Sequence, residues 1–286
     1  MENIEELKKQ ASEASVNRVA THTVGVINTI RTKGRDSTTN RPGDGEEMGT
    51  GCAGKWGPHH FVLTARHVIK EEAAPSDLRL FWRPAPFVER RSDRDLTMKD
   101  IADGTPISDA TAVIRRCDWE DLAVIVLDPK AAGEYTEFFN IENSWIDPAV
   151  GEVVNCCGYP FDRNVLVGKH MVGQKEERTI AIRPEIFSGC VLPQPTAQEL
   201  KFQITAYDAD RHYLVPYEHH LSKHPLGFSG AAVWWESDKK LMVWRPNFIF
   251  AGVCTCCYKR GAIEQVVKAS IVRRFLTEVF GAAKTN

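Results

Sequence analysis

Three short segments follow one another in a fixed order along this chain, each next to an apolar run of strand-like composition. They are Leu63-Thr64-Ala65-Arg66-His67-Val68, Glu120-Asp121-Leu122-Ala123-Val124 and Gly227-Phe228-Ser229-Gly230-Ala231. They supply a histidine, an aspartate and a serine from remote positions, so only folding brings the three together. The order is the constraint. These residue types meet on several unrelated folds, and each fold has its own chain order. No histidine follows Ser229, which excludes the order Ser…Asp…His for this serine. An order starting from aspartate needs Asp36 or Asp44, and both lie in polar loop sequence without strand context.

The three side chains together make an activated nucleophile. A serine hydroxyl is weak at neutral pH and needs a base within reach, and the base needs an orienting group. Ser229 is the candidate nucleophile, His67 the base, and Asp121 the group that fixes the imidazole tautomer. The N–H groups of Gly227 and Ser229 are candidate donors to an oxyanion. Glycine at 227 and 230 permits the backbone angles and close approach that such a turn requires. The G-x-S-G tetrapeptide is weak alone, and Asp-Leu-Ala-Val is common, so the joint order carries the weight. Each residue also has an ordinary reading: a buried histidine, a strand-end aspartate, a turn serine. His59, His60, His212, His219, His220 and His224 lack comparable flanks and read as surface or loop packing. A metal site from His219, His220 and His224 is the alternative for the last three.

The rest of the chain reads as strands. Runs at 19–30, 49–54, 61–65, 78–82, 112–116 and 122–127 are β-rich, and 49–65 forms a hairpin. Residues 83–111 are proline-rich and charged and read as a surface excursion. Residues 128–148 read as a linker, after which 151–158, 180–182, 200–206, 231–235 and 248–255 supply further strands. Residues 161–224 form a second long excursion. Many short strands between turn signals predict an all-β sandwich or barrel. Ile4, Leu7 and Ala11 mark a short N-terminal helix or arm. Ile263, Val266, Val267, Ile271, Phe275 and Val279 predict a closing helix over 262–280.

Length and charge narrow the function classes. The chain has 286 residues, enough for one large domain or two small ones. Its formal charge of −2 gives no bulk field toward nucleic acid or an anionic membrane. No apolar run approaches the roughly 20 residues that span a bilayer. Residues 1–10 lack the pattern of a secretory signal, so the expected location is cytoplasmic. The eight cysteines are therefore expected to be buried free thiols, and neighbours such as Cys156 and Cys157 point to opposite faces of a strand. Cys254-Thr255-Cys256-Cys257 contains a C-x-x-C spacing, which leaves a zinc-binding structural protein as a third reading.

The three motifs in this order resemble the trypsin/chymotrypsin-like serine peptidases, over roughly residues 22–280. The resemblance implies a double six-stranded antiparallel β-barrel with a C-terminal helix and a short N-terminal helix. An arm at 1–18 would precede a peptidase domain at 19–280, with a first barrel at 19–135, a second at 149–260, and the helix at 262–280. His67 and Asp121 come from the first barrel and Ser229 from the second, with the site in the cleft between them. Thr255 matches the hydroxyl residue that supports the catalytic aspartate. Cys256 and Cys257 edge the substrate pocket. Lys223, six residues before the serine, sets its charge and favours acidic side chains. Gly158-Tyr159-Pro160 matches a turn found in intracellular and bacterial members. Phe228 stands where digestive members carry an aspartate, which implies no activation by a freed N-terminus. Arg66 replaces a small residue and either gates the cleft or pairs with an acid.

The reading that follows is a serine endopeptidase with no metal or organic cofactor, acting on a protein substrate through an acyl-enzyme. A regulatory protein or ligand that uncovers the cleft is a further expected partner; nucleic acid and membrane are not. The alternative is a catalytically silent module of the same fold that binds a protein partner.

Overall fold

Along 61–64 and 123–127 successive residues are buried on both faces, which explains their strand-like runs of apolar residues. These strands belong to a computed structural model that describes residues 19–28, 47–81, 105–106, 112–128, 132, 137–159, 165–172, 175–181, 185–194, 207–216, 227–237, 247–258 and 263–281. The expected arm at 1–18, the strand at 200–206, the histidines at 219, 220 and 224, Lys223 and most of 83–111 lie outside the described residues.

The first sheet comprises β1 (Thr23–Asn28), β2 (Glu47–Trp56), β3 (His59–Thr64), β4 (Leu78–Phe81), β5 (Thr105–Pro106), β6 (Ala112–Arg116), β7 (Ala123–Leu127) and β8 (Phe139–Asn140). Its order is β5-β4-β1-β2-β3-β7-β6, with β8 beside β2. The two-residue strands β5 and β8 are additions to an antiparallel ladder of six longer strands. The second part of the chain supplies β9 (Val153–Gly158), β10 (Val165–Val172), β11 (Lys175–Ala181), β12 (Glu185–Cys190), β13 (His212–Pro216), β14 (Ala232–Ser237), β15 (Asn247–Tyr258) and β16 (Ile263–Lys268). Six of these form the antiparallel order β12-β9-β14-β15-β16-β13, and β10 and β11 pair as a separate hairpin. The architecture is therefore two curled six-stranded antiparallel units, followed by helix α1 (Ala269–Phe280).

Strand alternation divides the core three ways. Val24, Val62, Leu80 and Ile125 pack inside the first unit. Cys156, Phe187, Tyr213, Val233 and Val266 pack inside the second. The opposite faces, with Leu63, Val124, Cys157, Trp234 and Val267, join a third cluster that also takes Val272, Phe275 and Leu276 of α1. Adjacent pairs Val62/Leu63, Cys156/Cys157 and Val266/Val267 thus serve two cores each, as the period of two requires. Each fully buried aliphatic side chain contributes about 1.5–3 kcal/mol.

Three sequence expectations change. The closing helix starts at Ala269, not 262, because Ile263–Lys268 is strand β16, paired with β13 and β15. The excursion at 161–224 contains β10 to β13 and so contributes to the sheet. Cys190 is exposed, although Cys52, Cys117, Cys156, Cys157 and Cys254 are buried free thiols. Among the described residues no helix is long and apolar enough to cross a membrane, and no His, Cys, Asp and Glu group of three or more is placed to hold a metal ion.

Candidate active site

The first half of the site sits at one end of β3 and β7. Beyond Thr64 the chain makes a single 3-10 turn, Arg66–Val68, whose Val68 side chain is buried. That anchor leaves His67 facing solvent, its side chain 51% exposed. Asp121 lies in the turn between β6 and β7. Its Oδ2 is 2.7 Å from His67 Nδ1, and its Oδ1 accepts the His67 backbone N–H at 3.0 Å. One carboxylate thus fixes both the ring and the main chain of the histidine. With Nδ1 held as a donor, Nε2 is left as the acceptor in the neutral ring. Arg66 joins the same two turns: its Nη1 donates to Cys117 O at 2.9 Å and its Nη2 pairs with Glu71 at 3.0 Å. Of the two expected roles for Arg66, the structure has pairing with an acid.

The second half is the turn Gly227–Ala231 at the start of β14. Its anchor in the second unit is Phe228, fully buried, which meets Phe187 edge-on at 5.4 Å. Gly230 N–H donates to Cys254 O at 2.7 Å, and Cys254 N–H donates to Ala231 O at 2.9 Å, which ties the turn to β15. Gly227 and Gly230 have φ of 103° and 88°, conformations that L side chains rarely adopt. At Gly230 space also forbids a side chain, since a Cβ would stand 1.9 Å from Thr50 O and 2.2 Å from Thr64 Oγ1.

Thr50 on β2 joins the two halves. Its N–H donates to Ser229 O at 2.9 Å, and its hydroxyl donates to Gly227 O at 2.6 Å. The same hydroxyl accepts Tyr159 N–H at 2.9 Å, and Thr50 O accepts from Thr64 Oγ1 at 2.6 Å. One wholly buried threonine therefore sets the Ser229 turn against the strand that leads to His67. Sequence reasoning missed it, although its place in Gly49-Thr50-Gly51 was a signal: flanking glycines let another backbone approach. A Cβ at Gly49 would lie 3.1 Å from Ser229 O.

The structure brings His67 and Asp121 into direct contact and sets the Ser229 turn beside them. No hydrogen bond joins the Ser229 hydroxyl to His67 among the described residues, and none occupies the N–H of Gly227 or Ser229. Thr255 does not support Asp121. Its hydroxyl is buried without a hydrogen-bond partner, because β15 bulges between Cys254 and Cys256 and Thr255 falls out of register. Cys256 is half-buried on β15, and the Cys257 side chain is outside the described residues. His212, expected as surface or loop packing, is buried as the first residue of β13.

Comparison with models of known protein families and with curated protein sequences finds no match. Solved structures do match. The scabies mite inactivated protease paralogue S-I1 superposes with a TM-score of 0.52 at 15% identity, over 92% of this chain and 95% of that one. Human heparin binding protein gives 0.51 at 12% identity, over 94% and 96%. At such identities the likeness is one of fold. The chain has the double β-barrel fold of the trypsin-like serine proteases.

Proposed function

We propose that this chain is a serine endopeptidase in which Ser229, His67 and Asp121 act together. Ser229 Oγ attacks the carbonyl carbon of a peptide bond while His67 Nε2 takes its proton. The oxyanion that forms is met by the N–H groups of Gly227 and Ser229. Collapse expels the amine, protonated by His67, and leaves an acyl-serine. Water then attacks with His67 again as base, releasing the carboxylic acid product and restoring the hydroxyl. Asp121 stabilises the imidazolium in both halves of the cycle.

The observation that carries this reading is the 2.7 Å contact between His67 Nδ1 and Asp121 Oδ2, made just beyond β3, the strand that Thr50 links to the Ser229 turn. The Ser229–His67 hydrogen bond forms when substrate enters, as catalytic contacts often tighten only in the complex. A fluorophosphonate probe is expected to label the native chain on one serine, and Ser229→Ala to abolish the labelling. Labelling that persists in Ser229→Ala identifies another nucleophile and defeats the proposal.

Two observations favour the second reading, a silent module that binds a protein partner. The unliganded Ser229 hydroxyl makes no hydrogen bond to His67, and one matching structure is by its own name an inactivated protease paralogue. A native chain that captures a partner intact and never reacts with the probe supports that reading.

A further inference from the structure

The turn that carries Asp121 is gripped from the second sheet as well. Glu120 Oε1 accepts the Asp121 backbone N–H at 3.0 Å. Its other oxygen, Oε2, lies 3.2 Å from His212 Nε2 and 3.3 Å from Arg211 Nη1. His212 is the first residue of β13, so this contact crosses from one barrel to the other. The side chains of Glu120 and His212 are 7% and 1% exposed. Neither Glu120 Oε2 nor His212 Nε2 has a hydrogen-bond partner among the described residues, so Glu120 meets both side chains as close polar contacts.

The donor direction is fixed by the other side of the ring. His212 Nδ1 accepts the Asp208 backbone N–H at 2.9 Å, so the proton of a neutral ring sits on Nε2 and faces Glu120. The segment that presents both side chains is itself tied down. Arg211 Nε bonds Asp208 Oδ2 at 2.9 Å, Arg211 Nη1 donates to Trp119 O at 2.8 Å, and Lys268 Nζ donates to Ala209 O at 2.6 Å. Arg211 therefore holds the Asp121 turn at two points, the Glu120 carboxylate and the Trp119 carbonyl.

A buried charged cluster adds little net stability, because desolvation cancels most of its attraction. What it supplies is register. Thr255 does not hold Asp121 here, and the other tie on this turn from outside its barrel, Trp119 Nε1 to Glu278 of α1 at 3.0 Å, does not reach Asp121 itself. We propose that Glu120, clamped by Arg211 and His212, is a positioning residue that holds Asp121 in line with His67 Nδ1 from the second barrel. The proposal rests on the reading of His67 and Asp121 given above. Loss of the clamp would lengthen the hydrogen bond between Asp121 Oδ2 and His67 Nδ1, which is 2.7 Å in the native chain.

The test does not need turnover. In Ser229→Ala protein labelled at histidine, NMR follows the downfield signal of the proton shared by His67 Nδ1 and Asp121 Oδ2, which reports the length of that bond whether or not the chain hydrolyses anything. Charged groups on neighbouring elements (Arg66, Glu71, Asp121, Asp208, Arg211 and Lys268) stay in place throughout. Glu120→Gln is isosteric and turns an amide N–H toward the His212 donor; His212→Gln probes the clamp from the other barrel. Asp118→Asn removes a charge from the same turn, at an exposed position without a bond to Asp121. The expected result is an upfield shift or loss of that signal in Glu120→Gln, a smaller upfield shift in His212→Gln, and no shift in Asp118→Asn. No shift in either clamp variant, or an equal shift in Asp118→Asn, overturns the proposal. A wild-type chain that fails to react with the probe counts against the peptidase reading alone and leaves this measurement intact.

Discussion

Thr50→Val tests the link between the two barrels most sharply. Valine keeps the shape and the β-branch but removes the hydroxyl. Two buried backbone groups then lose their bond to this hydroxyl: Gly227 O, bonded at 2.6 Å, and Tyr159 N–H, bonded at 2.9 Å. Each lost bond costs about 1–3 kcal/mol, and the added methyl returns about 0.8 kcal/mol. The net loss is about 3 kcal/mol. For a chain of this size that lowers the melting temperature by roughly 6–12 °C. The backbone bond from Thr50 N–H to Ser229 O survives, so the turn loosens rather than detaches. Displacing one oxyanion donor in this way slows fluorophosphonate labelling by about tenfold at a temperature where the variant is fully folded, less than outright loss of a donor. Thr64→Val is the companion, since it removes only the 2.6 Å bond to Thr50 O and costs about 1 kcal/mol. Calorimetry and labelling rates on the three proteins decide the matter. A Thr50→Val chain that melts within about 2 °C of wild type, or labels at the wild-type rate, refutes the reasoning.

Three other outcomes follow from the same structure. Gly230→Ala combines φ of 88° with a Cβ 1.9 Å from Thr50 O, so the loss is about 4 kcal/mol or more and the near-UV circular dichroism of the second barrel is lost; a native spectrum contradicts this. In the native chain a maleimide reacts at exposed Cys190 and spares Cys52, Cys156, Cys157 and Cys254, because burial raises their thiols, Cys157 to about 12; uniform labelling without denaturant contradicts it. Burial pushes the Glu120 carboxyl up, but His212, the Asp121 N–H and Arg211 outweigh it and hold it below the ordinary carboxylate range. Its stabilisation is therefore present above the unfolded-state range and lost as pH falls through the folded value. The urea-midpoint gap between wild type and Glu120→Gln should narrow from about pH 6 to about pH 3, and a constant gap counts against the account.

What could be read from the sequence was local. The hairpin of β2 and β3 was legible because Gly57 and Pro58 interrupt two strand-like runs, and β7 because Ala123–Leu127 is continuously apolar. The His67 and Asp121 segments stood out because each follows or precedes such a run. Strand β16 was misread because it is buried on both faces. Its Ile263, Val266 and Val267 then fall at helical spacing by coincidence, and nothing local separates the two readings. β13 was lost within a long polar stretch. Thr50, Glu120 and His212 were illegible for a different reason. Their roles lie in bonds to residues 177 positions away or across the barrel boundary; the flanks of Glu120 and His212 carry no mark of it, and the glycines beside Thr50 mark only that another backbone can approach. Thr255 shows the converse: resemblance assigned it a bond that a one-residue bulge removes.

The central claim is that the His67–Asp121 pair activates the Ser229 hydroxyl, and the rate of phosphonylation tests it directly. Mass spectrometry of the wild-type chain should place the probe on the peptide containing Ser229. His67→Ala, with folding verified by calorimetry, should slow that modification by about a thousandfold or more. Modification of Ser229 at an undiminished rate in His67→Ala, or a folded wild-type chain that is never modified, would contradict the account.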